Sequence, residues 1–326
     1  MTDSDHPRQS RLAAVVDGWR AFWFSPQPAY SLGLVRMAFG ALVVAWTLAL
    51  LPDLYELFGE HGVVPQHPRT DYRWGVFETW TGDTALLIGW VVLLMSAIAM
   101  TVGWHSRLAA VLVFVLIASF MQRDGWVFNT GDALIRLEAL FLALASCGAA
   151  LSLDQRRRTG SFWSAQCRAP WLIRLMQVQL SVIYLVSVQA KLRGRTWVDG
   201  TAVSYAWRED QGLALIPAPE WLSTNGLIVN VATWGTIVIE LAIAILVWNR
   251  RWRPWVLAAG VVMHLMMMVN LSIGFFSLAM FVLYLAFVPW EAVPRLPVRL
   301  KHLVRRDRGS SAASDSSSVH PAGSGG

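Results

Sequence analysis

The length and continuity of the apolar blocks constrain this chain more than any single motif. Of its 326 residues, 55% are hydrophobic and only 15% are charged, whereas soluble domains carry about 25% charged residues. The apolar residues form long runs, each close to the ~20 residues that a helix needs to cross a bilayer. The sequence therefore predicts an all-α fold, a polytopic membrane helical bundle with about eight transmembrane helices. The predicted spans are 30–51, 83–104, 107–121, 133–152, 170–190, 228–248, 254–269 and 271–290.

Arginine concentrates in alternate connections of this bundle. The basic connections are the N-terminus (Arg8, Arg11, Arg20), the loop after span four (Arg156, Arg157, Arg158, Arg168), the loop after span six (Arg250, Arg251, Arg253) and the tail after span eight. The connections after spans one and five carry acidic residues that balance their basic ones. The positive-inside rule then predicts a plasma-membrane protein with both termini in the cytoplasm and residues 192–227 outside. Only Asn270 separates the last two spans, which could instead form a tight, partly re-entrant hairpin.

The predicted spans divide the chain into three parts. Residues 1–29 form a cytoplasmic N-terminus, in which 12–23 place apolar side chains on one helical face and predict a helix lying in the membrane interface. Residues 30–290 form the transmembrane domain. Residues 291–326 form a cytoplasmic tail that is first basic and then, from Gly309, rich in serine and predicted to be disordered.

Charge and cysteine content narrow the classes of partner and cofactor. The net charge is +6, but the arginines that produce it lie in the short connections that set orientation, so membrane lipids and not nucleic acid are the expected partners. Two cysteines are too few for a disulfide framework. The sequence contains no cluster with metal-ligand spacing, and we expect no metal.

Away from the ends of the predicted spans, where Arg174 and similar residues can snorkel, five ionisable residues remain, and each is costly and is therefore a functional candidate. They are Arg36, Arg136, Glu138, Glu240 and His264. We expect Arg36 to snorkel to the cytoplasmic interface, and Arg136 and Glu138 each to pair with a different helix. Glu240 lies mid-span and must be protonated or paired, with His264 as a candidate partner. Structural pairing and a role in a site remain open for this set.

Lys191 is the most distinctive polar residue. The chain has only one other lysine, Lys301, and Lys191 follows an apolar run at the outer boundary of span five. A desolvated amine can lose its proton and act as a base, which a guanidinium cannot. The alternative is that Lys191 is an interfacial anchor. Polar residues along span five, including Gln177 and Tyr184, either bond helix to helix or line a wet cavity leading to Lys191. Trp126 and Trp197 could line a site for a flat aromatic ligand.

Four segments on the outer side carry a resemblance to a known family. They are Ser31–Gly40 with Leu54–Pro65, Asn129–Arg136, Gln177–Ala202, and the set formed by Trp234, Gly235, Glu240, His264 and Ser272–Ser277. In their order and spacing over about residues 30–290, they resemble the HTTM (horizontally transferred transmembrane) domain family, which is related to the vitamin K-dependent gamma-carboxylases.

The resemblance implies a cofactor and roles for named residues. Gamma-carboxylases use reduced vitamin K, oxygen and carbon dioxide to carboxylate peptide glutamates, so it implies a reduced naphthoquinone of the menaquinol or vitamin K type. Lys191 matches the lysine taken as the base, and Glu240 and His264 match an acidic and a histidine position as further catalytic candidates. The candidates for substrate binding are Trp126, Asn129, Asp132, Arg136, Tyr184 and Trp197. The sequence departs from the carboxylases at Asn129–Asp132, where they have a histidine, and it has no counterpart of their lumenal propeptide-binding domain.

Three classes of function therefore stay open. The first is a quinol-dependent enzyme with carboxylase- or epoxidase-like chemistry. The second is a non-catalytic membrane maturation factor or chaperone for a secreted peptide or protein. A transporter ranks third, because the sequence has no internal repeat or paired interrupted helices.

Overall fold

The computed structural model describes residues 6–63, 74–209, 214–271 and 273–295. Their fold is all-α, as the sequence predicts, with one short antiparallel pair of strands, Gln27–Pro28 with Cys167–Arg168. The helices are α1 (His6–Phe24), α2 (Tyr30–Ala49), α3 (Leu54–Phe58), α4 (Val76–Thr79), α5 (Asp83–Val102), α6 (Ser106–Arg123), α7 (Thr130–Leu144), α8 (Leu153–Thr159), α9 (Trp171–Arg193), α10 (Arg195–Val198), α11 (Ala202–Glu209), α12 (Glu220–Thr224), α13 (Gly226–Leu246), α14 (Arg253–Asn270) and α15 (Phe276–Leu285). Short 3-10 turns lie at Cys147–Ala149 and Val293–Arg295.

Each of the eight predicted spans contains a helix, but the helices differ in length. Within the described residues, five are long and apolar enough to cross a membrane, namely α2, α5, α6, α9 and α13. The others are α14 with 18 residues, α7 with 15 and α15 with 10. The multi-pass membrane bundle is therefore confirmed, while a count of eight full crossings stays a prediction.

The predicted limits of span four, 133–152, are wrong at both ends. The helix begins earlier because Asn129 and Asp132 form a capping box: the Asn129 side chain accepts the Asp132 backbone N–H, and the Asp132 side chain accepts that of Asn129. It ends at Leu144, and the apolar residues that follow continue as a 3-10 turn and extended chain. Helix α15 is also shorter than the predicted span eight, 271–290. A turn through Gly274, at φ +56, delays the start of the helix to Phe276.

The long helices pack as two groups. In the first, α2 packs on α5, α5 on α6, and α6 on α7, and in the second α13 packs on both α9 and α14. The short helix α15 contacts α2, α7, α9 and α14, so it joins the groups. Fully buried side chains such as Phe39, Phe120, Ile135 and Met176 belong to one continuous core. The core holds α9 and α13 side by side, which brings their polar residues together.

Arg36 does not snorkel, contrary to the prediction. Its side chain is 0% exposed. Nη1 donates to the Met100 carbonyl and Nη2 to the Leu151 carbonyl, each at 2.5 Å. The last carbonyls of a helix have no partner within it. Arg36 bonds to one such carbonyl near the end of α5 and to one in the 145–152 segment. Arg36 is thus a structural link between α2, α5 and that segment.

The expected pairing of Arg136 and Glu138 is also wrong within the described residues. Neither carboxyl oxygen of Glu138 has a hydrogen-bond partner there, and the side chain is 0% exposed. Glu138 shares a helix face with Ile135 and Leu142, which are fully buried, so the face is turned into the apolar core. Arg136 is half-buried and makes no hydrogen bond or ion pair with any described residue.

Helix α1 contains the predicted interfacial segment 12–23. Val15 and Trp19 are exposed, but so are all residues of 13–20, so an apolar face directed at lipid stays a prediction. At its end, α1 contacts α9: the Arg174 guanidinium lies 4.7 Å from the centre of the Phe22 ring, and its Nε donates to the Phe22 carbonyl at 3.3 Å. The first five residues and the predicted disordered tail from Gly309 lie outside the described residues.

Candidate functional site

An ion pair between α9 and α13 forms the centre of the candidate site. Lys191 Nζ donates to Glu240 Oε1 at 2.7 Å and to Oε2 at 2.9 Å. The same amine donates to Ser187 Oγ at 2.6 Å, one turn earlier on α9. The two charged side chains are 17% and 8% exposed, so the pair is largely buried but still accessible. The three donor bonds fix the position of the amine.

Trp197 completes the surroundings of the amine. Helix α9 ends at Arg193, Gly194 makes a turn, and the short helix α10 follows. This turn brings the half-buried Trp197 ring to 5.0 Å from Lys191 Nζ. An indole face attracts a cation at that distance. Lys191 therefore has a carboxylate on one side and an aromatic face within reach.

A second group of polar residues surrounds His264 on α14. The ring is 1% exposed. Its Nδ1 lies 3.1 Å from Ser277 Oγ, and its Nε2 lies 2.9 Å from the Tyr184 hydroxyl. The Tyr184 hydroxyl is also hydrogen-bonded to that of Tyr284. Gly260 leaves room for this contact, because a Cβ there would collide with the Tyr284 hydroxyl.

The direction of these hydrogen bonds follows from counting donors. The Ser277 hydroxyl donates its one proton to the His264 carbonyl at 3.3 Å, so ring Nδ1 donates to Ser277 Oγ. In the neutral ring Nε2 then accepts from Tyr184, and Tyr284 donates to Tyr184. This network ties α9, α14 and α15 together. His264 is thus bonded to Tyr184 and not to Glu240, the partner that the sequence suggests.

The two groups share one face of α9. Tyr184, Ser187 and Lys191 are spaced by three and four residues and lie on one stripe. Seven residues of helix place Tyr184 about 10 Å from Lys191 along the axis. Three predicted catalytic residues, Lys191, Glu240 and His264, are therefore brought together with Tyr184 and Trp197.

In the described part of the chain, no hydrogen bond, ion pair or ring contact joins the remaining predicted residues to this cluster. The Trp126 side chain is 88% exposed, and only its backbone N–H is bonded, to Asp124 at 2.8 Å. Asn129 and Asp132 cap α7, and Asp132 also accepts from Trp46 Nε1 at 2.7 Å. Their arrangement supports the fold locally, and a role for them and for Arg136 in ligand binding stays a prediction.

Comparison with known proteins identifies the family. The HTTM domain matches residues 24–291, most of the chain. The chain belongs to the HTTM domain family. It is also similar to "Uncharacterized protein YitO" of Bacillus subtilis (strain 168), with 32% identity over 113 residues, which are 32% of this chain and 35% of that protein. The matched segment thus spans about a third of that relative's length. No solved structure matches the chain.

Besides Tyr184, two polar residues of span five in this HTTM domain bond to chain outside α9. Gln177 Nε2 donates to the Ala286 carbonyl at 2.7 Å, and Ser181 Oγ accepts from Trp248 Nε1 at 2.9 Å. This confirms the helix-to-helix reading of span five at these positions. Gln177 also lines a cleft of about 530 Å³, but that cleft lies at the opposite end of α9 from Lys191.

Sequence reasoning missed Tyr284 as a member of the cluster. It lies in a short, mostly apolar helix in which only Ser277 and Tyr284 carry hydroxyl groups, and these two hydroxyls are the signal that could have found it. Ser187 and Ser277 are within the segments that carry the family resemblance, but they were not predicted as site residues. Among the described residues, no group of three or more His, Cys, Asp or Glu side chains could hold a metal ion.

Proposed function

We propose that this HTTM domain binds a hydroxyl-bearing aromatic lipid, a reduced naphthoquinone of the menaquinol or vitamin K type, and moves its hydroxyl proton. The observation that carries the proposal is the bond from Lys191 Nζ to both Glu240 oxygens beside the Trp197 ring. A proton-accepting pair next to an aromatic face fits a flat ligand with an acidic hydroxyl. The site would open to the outside of the plasma membrane, with both termini in the cytoplasm, as the arginine pattern predicts.

The pair can supply a base without a net change in its charge. Lys191 Nζ passes one proton to Glu240 Oε1 over 2.7 Å, which leaves a neutral amine beside a neutral acid. The amine accepts a proton from a hydroxyl held beside Trp197. A reduced naphthoquinone, when bound, supplies that hydroxyl and the reducing electrons.

The His264 network acts as a positioning element in this proposal. Tyr184 is bonded to His264 and Tyr284, so α9 is held at a fixed rotation against α14 and α15. That rotation determines where Lys191, two turns further along the same stripe, meets Glu240. Loss of the network is expected to displace the amine and not to remove it.

Ligand binding tests the proposal. The full chain in lipid nanodiscs is titrated anaerobically with a short-chain menaquinol while tryptophan fluorescence is followed. We expect saturable binding that Trp197→Leu weakens about two- to tenfold, the range for one lost aromatic pair. The control, Trp221→Leu, changes a second tryptophan of the outer connection, one that is exposed and not beside Lys191, and should leave the affinity unchanged. Absence of saturable binding, or equal effects of the two variants, would overturn the proposal.

A second candidate is a non-catalytic role in the maturation of a secreted peptide or protein. It is favoured by exposed apolar side chains in the 192–227 connection, namely Leu215, Ile216 and Trp221. Clustered exposed apolar residues indicate a surface for a partner. Under this alternative the Lys191–Glu240 pair only joins α9 to α13, and a charge-conserving Lys191→Arg substitution would preserve function.

A further inference from the structure

A charged cleft at the basic end of the bundle is unrelated to the Lys191 site. It lies between the start of α9, the start of α14 and the chain that follows α15, and its volume is about 530 Å³. Volumes of roughly 300–1,000 Å³ are typical of small-ligand sites. Three arginines line it: Arg174 from α9, and Arg250 and Arg253 from the α13–α14 connection. The α13–α14 connection is one of the basic connections that the sequence predicts to lie at the cytoplasmic face.

The positive charge of this cleft is not neutralised. Arg174 donates to the Phe22 carbonyl and to Gln177 Oε1, and Arg253 donates to the Val247 carbonyl at 2.9 Å. All of these acceptors are uncharged. None of the three arginines forms an ion pair with a described residue.

Three like charges are therefore gathered around one opening. Arg250 interacts electrostatically with both Arg174 and Arg253, and a single acidic residue, Glu291, lines the same space. Three positive charges thus face one negative charge, and bringing like charges together costs free energy. An anion bound in the cleft would relieve that repulsion.

The remaining donors suit a phosphate group. A guanidinium carries five N–H donors in a planar fork that matches phosphate oxygens in pairs. Arg250 makes no hydrogen bond to a described residue and is exposed, so its donors are available. Part of the cleft wall is apolar, with Ile173, Leu257 and Phe287 beside the arginines. A charged rim above an apolar wall matches a lipid, which has a phosphate at one end and acyl chains at the other.

We propose that this cleft binds the phosphate head group of an anionic phospholipid in the leaflet at the basic side of the bundle. Basic pockets between helices on the cytoplasmic side recognise such head groups. Inorganic phosphate shares the charge but cannot contact the apolar wall, so the lipid is the expected source. The bound lipid would stabilise the junction of α1, α9 and α14, where Arg174 already contacts Phe22.

The test uses the purified full chain in detergent. Its melting temperature is measured with added phosphatidylglycerol, phosphatidylcholine or inorganic phosphate, and lipid affinity is measured by native mass spectrometry. We expect phosphatidylglycerol alone to stabilise the protein. Arg250→Gln should weaken its binding about fivefold, the loss expected for one basic residue near an anionic surface. The matched control is Arg251→Gln, because Arg251 is exposed, adjacent in sequence and outside the cleft lining.

Each other outcome overturns part or all of the inference. Equal stabilisation by phosphatidylcholine removes the role of charge, and equal stabilisation by inorganic phosphate removes the lipid as the source. Equal affinities of the Arg250→Gln and Arg251→Gln variants remove the cleft as the site. The side chains of Arg250 and Arg251 make no hydrogen bond to a described residue, so both variants should fold. Their melting temperatures without lipid verify this.

Discussion

Glu240 provides the sharpest test of how the α9–α13 pair stabilises the bundle. Lys191 Nζ has three acceptors, two of which are the Glu240 oxygens at 2.7 and 2.9 Å. Glu240→Leu removes both and leaves the ammonium with Ser187 alone. Removing one member of a buried pair costs about 3–5 kcal/mol. We expect about 3 kcal/mol, the low end of that range, because the side chains retain 17% and 8% of their exposure.

Glu240→Gln separates charge from hydrogen bonding. The amide oxygen still accepts from Lys191, so the loss should be smaller, about 1–1.5 kcal/mol. The double variant Lys191→Met with Glu240→Leu removes both charges and should recover part of the loss seen with Glu240→Leu alone. Free energies are measured by reversible titration of mixed micelles with SDS. Equal losses for Gln and Leu, or no recovery in the double variant, would refute this reasoning.

Three further predictions concern the rest of the bundle. Gly260→Ala should lower stability because its Cβ would meet the Tyr284 hydroxyl, and adding Tyr284→Phe should restore part of the loss in thermal melts; no restoration would contradict the contact. Asp154 accepts hydrogen bonds from the His105 and Ser106 backbone N–H groups. Burial raises the pKa of Asp154, but these bonds outweigh burial and place the pKa below 3.8. The carboxylate therefore stabilises the fold above the pKa of the unfolded state, and this stabilisation is lost as the pH falls through the pKa of the folded state. In melts from pH 7 to 3, Asp154→Asn should therefore lose about 1 kcal/mol at neutral pH, the difference between hydrogen bonds to a charged and to a neutral acceptor. The variant should converge with the parent chain in acid, and a constant difference would contradict this. Cysteines replacing the exposed Tyr205 and Ser161 in a background lacking Cys147 and Cys167 should show labelling by an impermeant reagent in intact cells only at 205, and the reverse pattern would invert the topology.

The sequence was sufficient for the architecture because membrane spans are defined by local composition. Every predicted apolar block contains a helix, and the family resemblance is confirmed by the match over residues 24–291. The lengths of α7 and α15 were not predictable from hydropathy, since the chain after Leu144 remains apolar where the helix has ended. A capping box at Asn129, by contrast, is readable from local sequence and fixes where α7 begins.

Partners of polar residues were the least predictable part. The acceptors of Arg36 are backbone carbonyls, which leave no trace in the order of side chains. Glu240 could have met His264 or Lys191, and only the packing of α9 on α13 decides for Lys191. The spacing of Tyr184, Ser187 and Lys191 does mark one helix face, so their shared site on α9 could have been predicted from the sequence.

The measurement that tests the central claim most directly is proton transfer to Lys191. A lipophilic naphthol, whose absorbance changes when its hydroxyl loses a proton, is added to the full chain in nanodiscs at neutral pH. The parent chain should shift part of the bound naphthol to its ionised spectrum. Lys191→Arg should not, because a guanidinium cannot accept a proton, although it can still pair with Glu240. A naphthol spectrum that is equally ionised with the parent chain and the Lys191→Arg variant, at equal membrane levels, would contradict the assignment of Lys191 as the base.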